Sequence, residues 1–200
     1  MFLRVSIVRA TKYRCFGRSE TRVEIEKLIR NIQTGDKDSF REFYEAYADY
    51  AIRTASAITR NREMAKDAVQ ETFIRVYRQI GSYNPELPFD PWFYRILMNE
   101  CLRYLKKESP LSKFEHPDLE NDPSLAEESF KHLSDLYDTI QSLDDIHRIP
   151  IILKYVKGFT EKEIADILGL NHNTVKSRLF KGRKRLKEQL DPTNKEEGSQ

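Results

Sequence analysis

TEKEIADILGLNHNTVKSRLFKGRKRLKEQL, residues Thr160 to Leu190, decides the class of fold. Thr160 and Glu163 have the spacing of a capping box, in which each side chain satisfies a free amide of the other at a helix start. Ile164, Ala165, Ile167 and Leu168 give that helix one apolar side, and Gly169 sits where a left-handed residue ends it. Asn171 then reads as the N-cap of a second helix whose buried stripe is Val175, Leu179, Leu186 and Leu190. Thr174, Ser177, Arg178 and Lys181 lie half a turn or more from Val175 and face outward. Two short helices, a Gly-containing turn and a basic outer face make a helix-turn-helix with a recognition helix.

Charge supports a nucleic-acid partner through its distribution. The chain has 200 residues, with 34 basic against 32 acidic and a formal charge of +2. Yet Lys176, Arg178, Lys181, Arg183, Lys184, Arg185 and Lys187 stand against the single acid Glu188. Such a run also fits a merely solvated face; its place on the helix that local geometry exposes favours DNA. From Glu108 to Asp145 the balance reverses, with eleven acids facing only Lys113 and Lys131. The reading is therefore an acidic linker beside a module that seeks DNA.

Several function classes drop out. Cys15 and Cys101 are far apart and have neither metal-ligand nor redox spacing, and a reducing cytoplasm is the simplest context. His116, His132, His147 and His172 form no metal-binding spacing. No Gly-rich phosphate loop or paired catalytic carboxylate appears, so no catalytic residue, metal, cofactor or small-molecule substrate is expected. No apolar run approaches membrane-spanning length. Residues 1–22 are broken by Arg4, Arg9, Lys12 and Arg14 and do not read as a signal peptide; they fit a basic, disordered arm or an extension from an upstream start.

In chain order, helices are expected from Val23 to Gly35, from Asp38 to about Ile58, and from Arg62 to Ile80. Phe40, Phe43, Tyr44 and Tyr47 belong to the apolar side of the second, and Phe73, Val76 and Tyr77 to that of the third. Asp67, Gln70, Glu71 and Arg75 share one polar side of the third helix, a pattern that an ordinary solvated face also explains. After the loop SYNPELPF, Asp90 as N-cap with Pro91 at the first helical position starts FDPWFYRILMNECLRYLKK. Aromatic rings beside cations suit single-stranded DNA. Trp92 and Ile96 fit the core at least as well, which leaves Asn84, Phe89, Arg95, Asn99 and Arg103 as the exposed candidates. Pro150 removes an amide donor and should delay the helix before the helix-turn-helix until close to Pro150, not Asp144.

DAVQETFIRVYRQI, FDPWFYRILMNECLRYLKK and TVKSRLFKGRKRL, in this order and with an acidic linker between, resemble the extracytoplasmic-function class of bacterial RNA polymerase sigma factors. The resemblance spans about Ile25 to Leu190 and implies an all-α fold. It divides the chain into a basic arm (1–22), a region 2 domain (23–107), a flexible acidic linker (108–131), a region 4 domain with the helix-turn-helix (132–190) and a disordered tail (191–200).

Core polymerase is the implied partner, through its clamp coiled coil and flap, with Asp67, Gln70, Glu71 and Arg75 in the clamp-docking stretch. Asn84, Phe89, Arg95, Asn99 and Arg103 would meet the −10 element as melted single strand. Thr174, Lys176, Ser177, Arg178, Phe180 and Lys181 would meet the duplex −35 element. Proteins of this class are usually held inactive by an anti-sigma factor, often membrane-bound. Two other functions compete: a dimeric helix-turn-helix regulator independent of polymerase, and a helical interaction protein whose basic helix binds an acidic protein. Neither accounts for the Asp67 stripe and the aromatic-basic helix together.

Overall fold

A computed structural model describes residues 19–107 and 127–190, with side chains from residues 24 and 135 onward in the two stretches. The expectations for the arm, the tail and most of the linker lie outside the described residues. The first stretch carries α1 (Ser19–Gln33), α2 (Lys37–Thr59), α3 (Arg62–Gln79), a 3-10 turn (Ile80–Ser82) and α4 (Phe89–Lys107). The second carries α5 (Glu127–Ser142), α6 (Asp145–Ile151), a π turn (Ile152–Val156), α7 (Glu161–Leu168) and α8 (His172–Leu190). Among the described residues all regular structure is helical. α1 starts before the expected Val23, and α5 starts inside the stretch read as linker.

Local chemistry sets the boundaries. Asp36 caps α2 by accepting from the Asp38 amide, and Asn61 caps α3 by accepting from Met64. Between these helices Arg60 takes a left-handed conformation with φ of 56°. Thr160 and Glu163 form the expected capping box, and Gly169 ends α7 at φ of 63°.

The first unit is organised around Phe43, fully buried, whose ring meets Phe40, Tyr47, Phe73, Phe89 and Phe93 at centroid distances of 4.7 to 6.0 Å. Mostly tilted and edge-on geometry stabilises such clusters beyond the area they bury. Tyr44 and Tyr77, expected inside, are instead about half exposed, at 48% and 52%. They flank a groove between α2 and α3 that the unit leaves open.

Two expected helix starts are corrected. α4 begins at Phe89, so Asp90 lies in the first turn and is not its cap; its Oδ1 accepts a 2.7 Å bond from the buried Tyr47 hydroxyl. Pro150 does not delay α6, which starts at Asp145 and runs through it. The carbonyl deprived of its donor, that of Ile146, belongs to a half-exposed residue, so the loss is cheap there. Directly after, the chain widens into the π turn, closed by Lys157 N donating to Ile152 O.

α8 packs on α6 through Val175, Leu179 and Gly182, whereas Leu190, expected in the stripe, is 40% exposed. A Cβ at Gly182 would lie 3.1 Å from Ile151 Cγ1 and 3.5 Å from His147 Cβ. The glycine thus sets how closely α8 approaches its support.

The two units also pack on each other. α7 lies along α4, with the Phe159 ring 5.1 Å from Tyr94, and α6 meets the end of α2. Arg148 of α6 is fully buried in that second contact. Gly182→Val should cost about 1–3 kcal/mol by overpacking, read as a lowered midpoint in chemical denaturation.

Candidate polymerase and promoter surfaces

On α3, Asp67 and Gln70 are exposed and Glu71 is half-buried. Arg75, placed on the same stripe, is turned inward. Its Nε is 2.7 Å from Glu100 Oε1 on α4, an ion contact, and 3.3 Å from Glu71 Oε1. The side that remains free is therefore acidic and amide in character. Beside it lies the groove between α2 and α3, about 780 Å³, with apolar walls from Phe40, Tyr44, Phe73 and Tyr77 and with Gln70, Lys66 and Arg78 among its polar lining.

Arg95 and Asn99 are exposed on α4, and Arg103 is half-buried one turn beyond. With the half-buried Trp92 they form a stripe at helical spacing. Phe89 does not belong to it. It is 6% exposed and wedged among Phe43, Tyr47, Tyr83, Trp92 and Phe93. The reason is the earlier helix start: with Phe89 inside α4, its ring points into the aromatic cluster and Leu87, at 59% exposure, becomes the outward residue of the loop. Asn84 is exposed, and its Oδ1 accepts from the Glu86 amide in a tight turn. The loop is held at its root by Gln33, whose Nε2 donates 2.9 Å bonds to Ile80 O and Tyr83 O.

Glu100 was not legible as a site residue. It is 2% exposed, yet it joins the two faces, receiving Arg75 on one oxygen and Arg103 on the other at 2.6 Å. The Glu100 hydrogen bond holds the Arg103 guanidinium above its ordinary pKa, and the group also stands 4.7 Å over the Tyr104 ring. Arg103 stands three residues from Glu100 on the same helix, whereas Arg75 comes from another.

On α8 the six expected −35 residues divide. Thr174, Ser177, Arg178 and Lys181 line a concavity of about 630 Å³ together with Asn173, Arg185 and the start of α6. Lys176 is exposed but is not among those lining residues, and neither is Phe180, at 63% exposure. On that flank Arg183 donates to the Tyr155 hydroxyl at 3.2 Å. The concavity is cationic and hydroxyl-rich, a donor set suited to phosphates and to guanine edges. Asp144 lies in its floor and accepts from Arg185 at 2.8 Å and from the buried His147, so Arg185 is partly neutralised.

A helix-turn-helix with a cationic outer face and a separate aromatic-basic unit match the comparisons with known proteins. Sigma-70 region 2 matches residues 43–110, and Sigma-70 region 4 matches residues 133–186. The ECF RNA polymerase sigma factor SigW of Bacillus subtilis is 31% identical, over 83% of this chain and 96% of SigW. The chain belongs to the extracytoplasmic-function sigma factors. The sigma-E factor of Haemophilus influenzae is 29% identical, over 84% of this chain and 95% of its own. Among solved structures, the sigma factor RpoE with the anti-sigma factor NepR from Bartonella quintana aligns at a TM-score of 0.62 and 25% identity, covering 78% of this chain and 98% of RpoE.

As a sigma factor the chain directs promoter-specific initiation by RNA polymerase. Its region 2 contains α2 to α4, and its region 4 contains α6 to α8. Glu100→Gln removes the charge that two arginines share while keeping the shape. Because both guanidinium groups can turn to water, the loss should be modest, about 1–2 kcal/mol by chemical denaturation, with Glu100→Ala costing more.

Proposed function

We propose that this sigma factor docks on the polymerase clamp through Asp67, Gln70 and Glu71, with Arg75 holding Glu71 in place. The supporting observation is that Asp67 and Gln70 are exposed on one side of α3, with the half-buried Glu71 beside them paired to Arg75, while Arg75 itself reaches Glu100. A basic coiled coil would meet acids and an amide there with little repulsion. The apolar groove beside Gln70 offers adjoining contact area.

The same reading gives α4 and its loop the −10 element, through Asn84, Arg95, Asn99 and Arg103, with Trp92 available for stacking. A base held out of the stack costs a few kcal/mol, offset by contacts at this face. Thr174, Ser177, Arg178 and Lys181 would enter the major groove at −35, with Lys176 and Phe180 on the flank, available to phosphate and to the polymerase flap. Boundaries at 23–107 and 132–190 for the two domains, extended to residue 127 by α5, suit these roles. Among the described residues no helix is long and apolar enough to cross a membrane. A cytoplasmic protein without catalysis of its own, restrained by an anti-sigma factor as RpoE is bound by NepR, completes the proposal.

Run-off transcription with core polymerase tests it directly. Discrete transcripts should appear on host genomic fragments only when the chain is added; their absence, with no co-elution with core, would refute promoter-specific initiation. Asp67→Arg with Glu71→Arg should abolish co-elution while leaving the helical circular dichroism signal intact. Arg178→Ala should weaken −35 binding by about 1–3 kcal/mol at the cognate sequence only, and an equal loss on every sequence would make Arg178 a phosphate contact.

A further inference from the structure

We infer that Asp144 sets how strongly the −35 reader grips duplex DNA: as a positioning residue it holds Arg185 inside the concavity of α8, away from the phosphates that this cation would otherwise neutralise. The inference rests on the assignment of α8 to the −35 element. Asp144 occupies the N-cap position of α6, where an aspartate side chain ordinarily accepts from an amide of the first turn. Here the side chain makes no such bond, although the Asp144 carbonyl begins the helix by accepting from Arg148 N at 2.9 Å. The carboxylate turns sideways instead. Its Oδ1 bonds His147 Nδ1, and its Oδ2 accepts from Arg185 Nη1 of α8 at 2.8 Å. Arg185 Nη1 also stands 3.2 Å from His147 Nδ1. His147 is 4% exposed, so a buried ring braces the carboxylate while Asp144 and Arg185 both line the concavity.

The position of Arg185 says what the restraint acts on. Arg178, Lys181 and Arg185 recur at helical spacing along the wall of the concavity. From Thr174 to Arg185 the helix rises about 16 Å, and a recognition helix meets base edges with its N-terminal residues. Arg185 therefore stands past the base-reading end, where the anionic partner within reach is backbone phosphate. Such a contact adds affinity on every sequence and carries no sequence information. With Asp144 paired to it, Arg185 can neutralise a phosphate only by leaving its carboxylate, which then faces the duplex uncompensated.

The restraint is selective. Arg178 and Lys181 have no carboxylate partner among the described residues, so the cations placed to reach bases stay available. Asp145, the neighbouring acid, is taken up elsewhere, by Arg148 at 2.6 Å and Arg60 at 3.6 Å. The Asp144 and Arg185 side chains are about half exposed, and a pair so placed adds little to folding; its effect falls on the DNA. A reader weakened in this way gains most from a second, linked contact.

Removing the charge tests this. Asp144→Asn keeps a good N-cap residue and frees Arg185. The full chain, titrated by fluorescence anisotropy against a random-sequence duplex in about 50 mM salt, should then bind about fivefold tighter, and the slope of log K against log salt should steepen by about 0.9, the increment for one phosphate. The same gain should appear on a duplex carrying a −35 element taken from the run-off transcripts, leaving the ratio of the two affinities unchanged. In an Arg185→Gln background the steepening should vanish, because the released cation is missing. Asp144→Ser, too short to reach Arg185, should repeat the gain if a shifted denaturation midpoint shows that asparagine disturbs the fold. Unchanged or weaker binding by both Asp144 variants, no binding by any form, an unchanged slope, or a steepening that persists without Arg185 would overturn the restraint. If the variants gain on both duplexes while no form prefers the −35 duplex, the restraint on Arg185 holds and the −35 assignment fails. Without run-off transcripts, the random duplex alone still decides the restraint.

Discussion

The end of α2 constrains much of the molecule. A helix leaves its last carbonyls without intrahelical donors, and a buried carbonyl without a partner costs about 1–3 kcal/mol. α2 ends abruptly because Arg60 adopts a left-handed backbone, its amide bonding back to Ser56 O. Thr59 Oγ1 donates to Ala55 O, while the Ala57 and Ile58 carbonyls are met by Arg148 and Gln141 from a unit more than eighty residues away. A local rule of helix termination is thereby satisfied by tertiary structure. The same groups make the contact between regions 2 and 4.

Residues whose environment is local were legible in the sequence. The capping box at Thr160, the left-handed Gly169, the Val175 and Leu179 stripe and the Gly35 stop all depend on neighbours within a turn or two, and the structure has them where pattern puts them. Phe89, Tyr44, Tyr77 and Leu190 were misjudged. Each is apolar at a position where helical phase alone admits either burial or exposure, and a first helical residue at Phe89, two before the Pro91 of the capping signal, suffices to turn Phe89 inward. Pro150 was read by its missing donor, but the cost of a missing donor depends on whether the abandoned carbonyl reaches water.

Charge shows the same division. The cationic outer face of α8 was visible as composition, because its members sit on one element. Glu100 was not, because its meaning comes from Arg75 on α3 and Arg103 on α4. A lone acid in an aromatic helix reads as solvated until another helix presents a cation to it. Arg75 is drawn toward Glu100 while its side chain stays partly exposed, so the stripe it shares keeps Asp67, Gln70 and Glu71 beside it, with Lys66 and Arg78 on the neighbouring groove.

Each face proposed to read DNA sits on a helix supported from behind by a close contact: Gly182 against Ile151 for α8, and Phe93 against Phe43 for α4. Rigidity of that kind fixes side-chain direction without adding affinity. Each contact can then remain weak alone, since recognition of two elements multiplies through the effective concentration that a shared scaffold supplies. Weakness in the separate readers is useful here. A region 4 that bound duplex DNA tightly by itself would occupy −35-like sequences without polymerase, whereas one that gains its second contact only when held at promoter spacing reports the spacing as well as the sequence. The cationic concavity tempered by Asp144 acts in that direction.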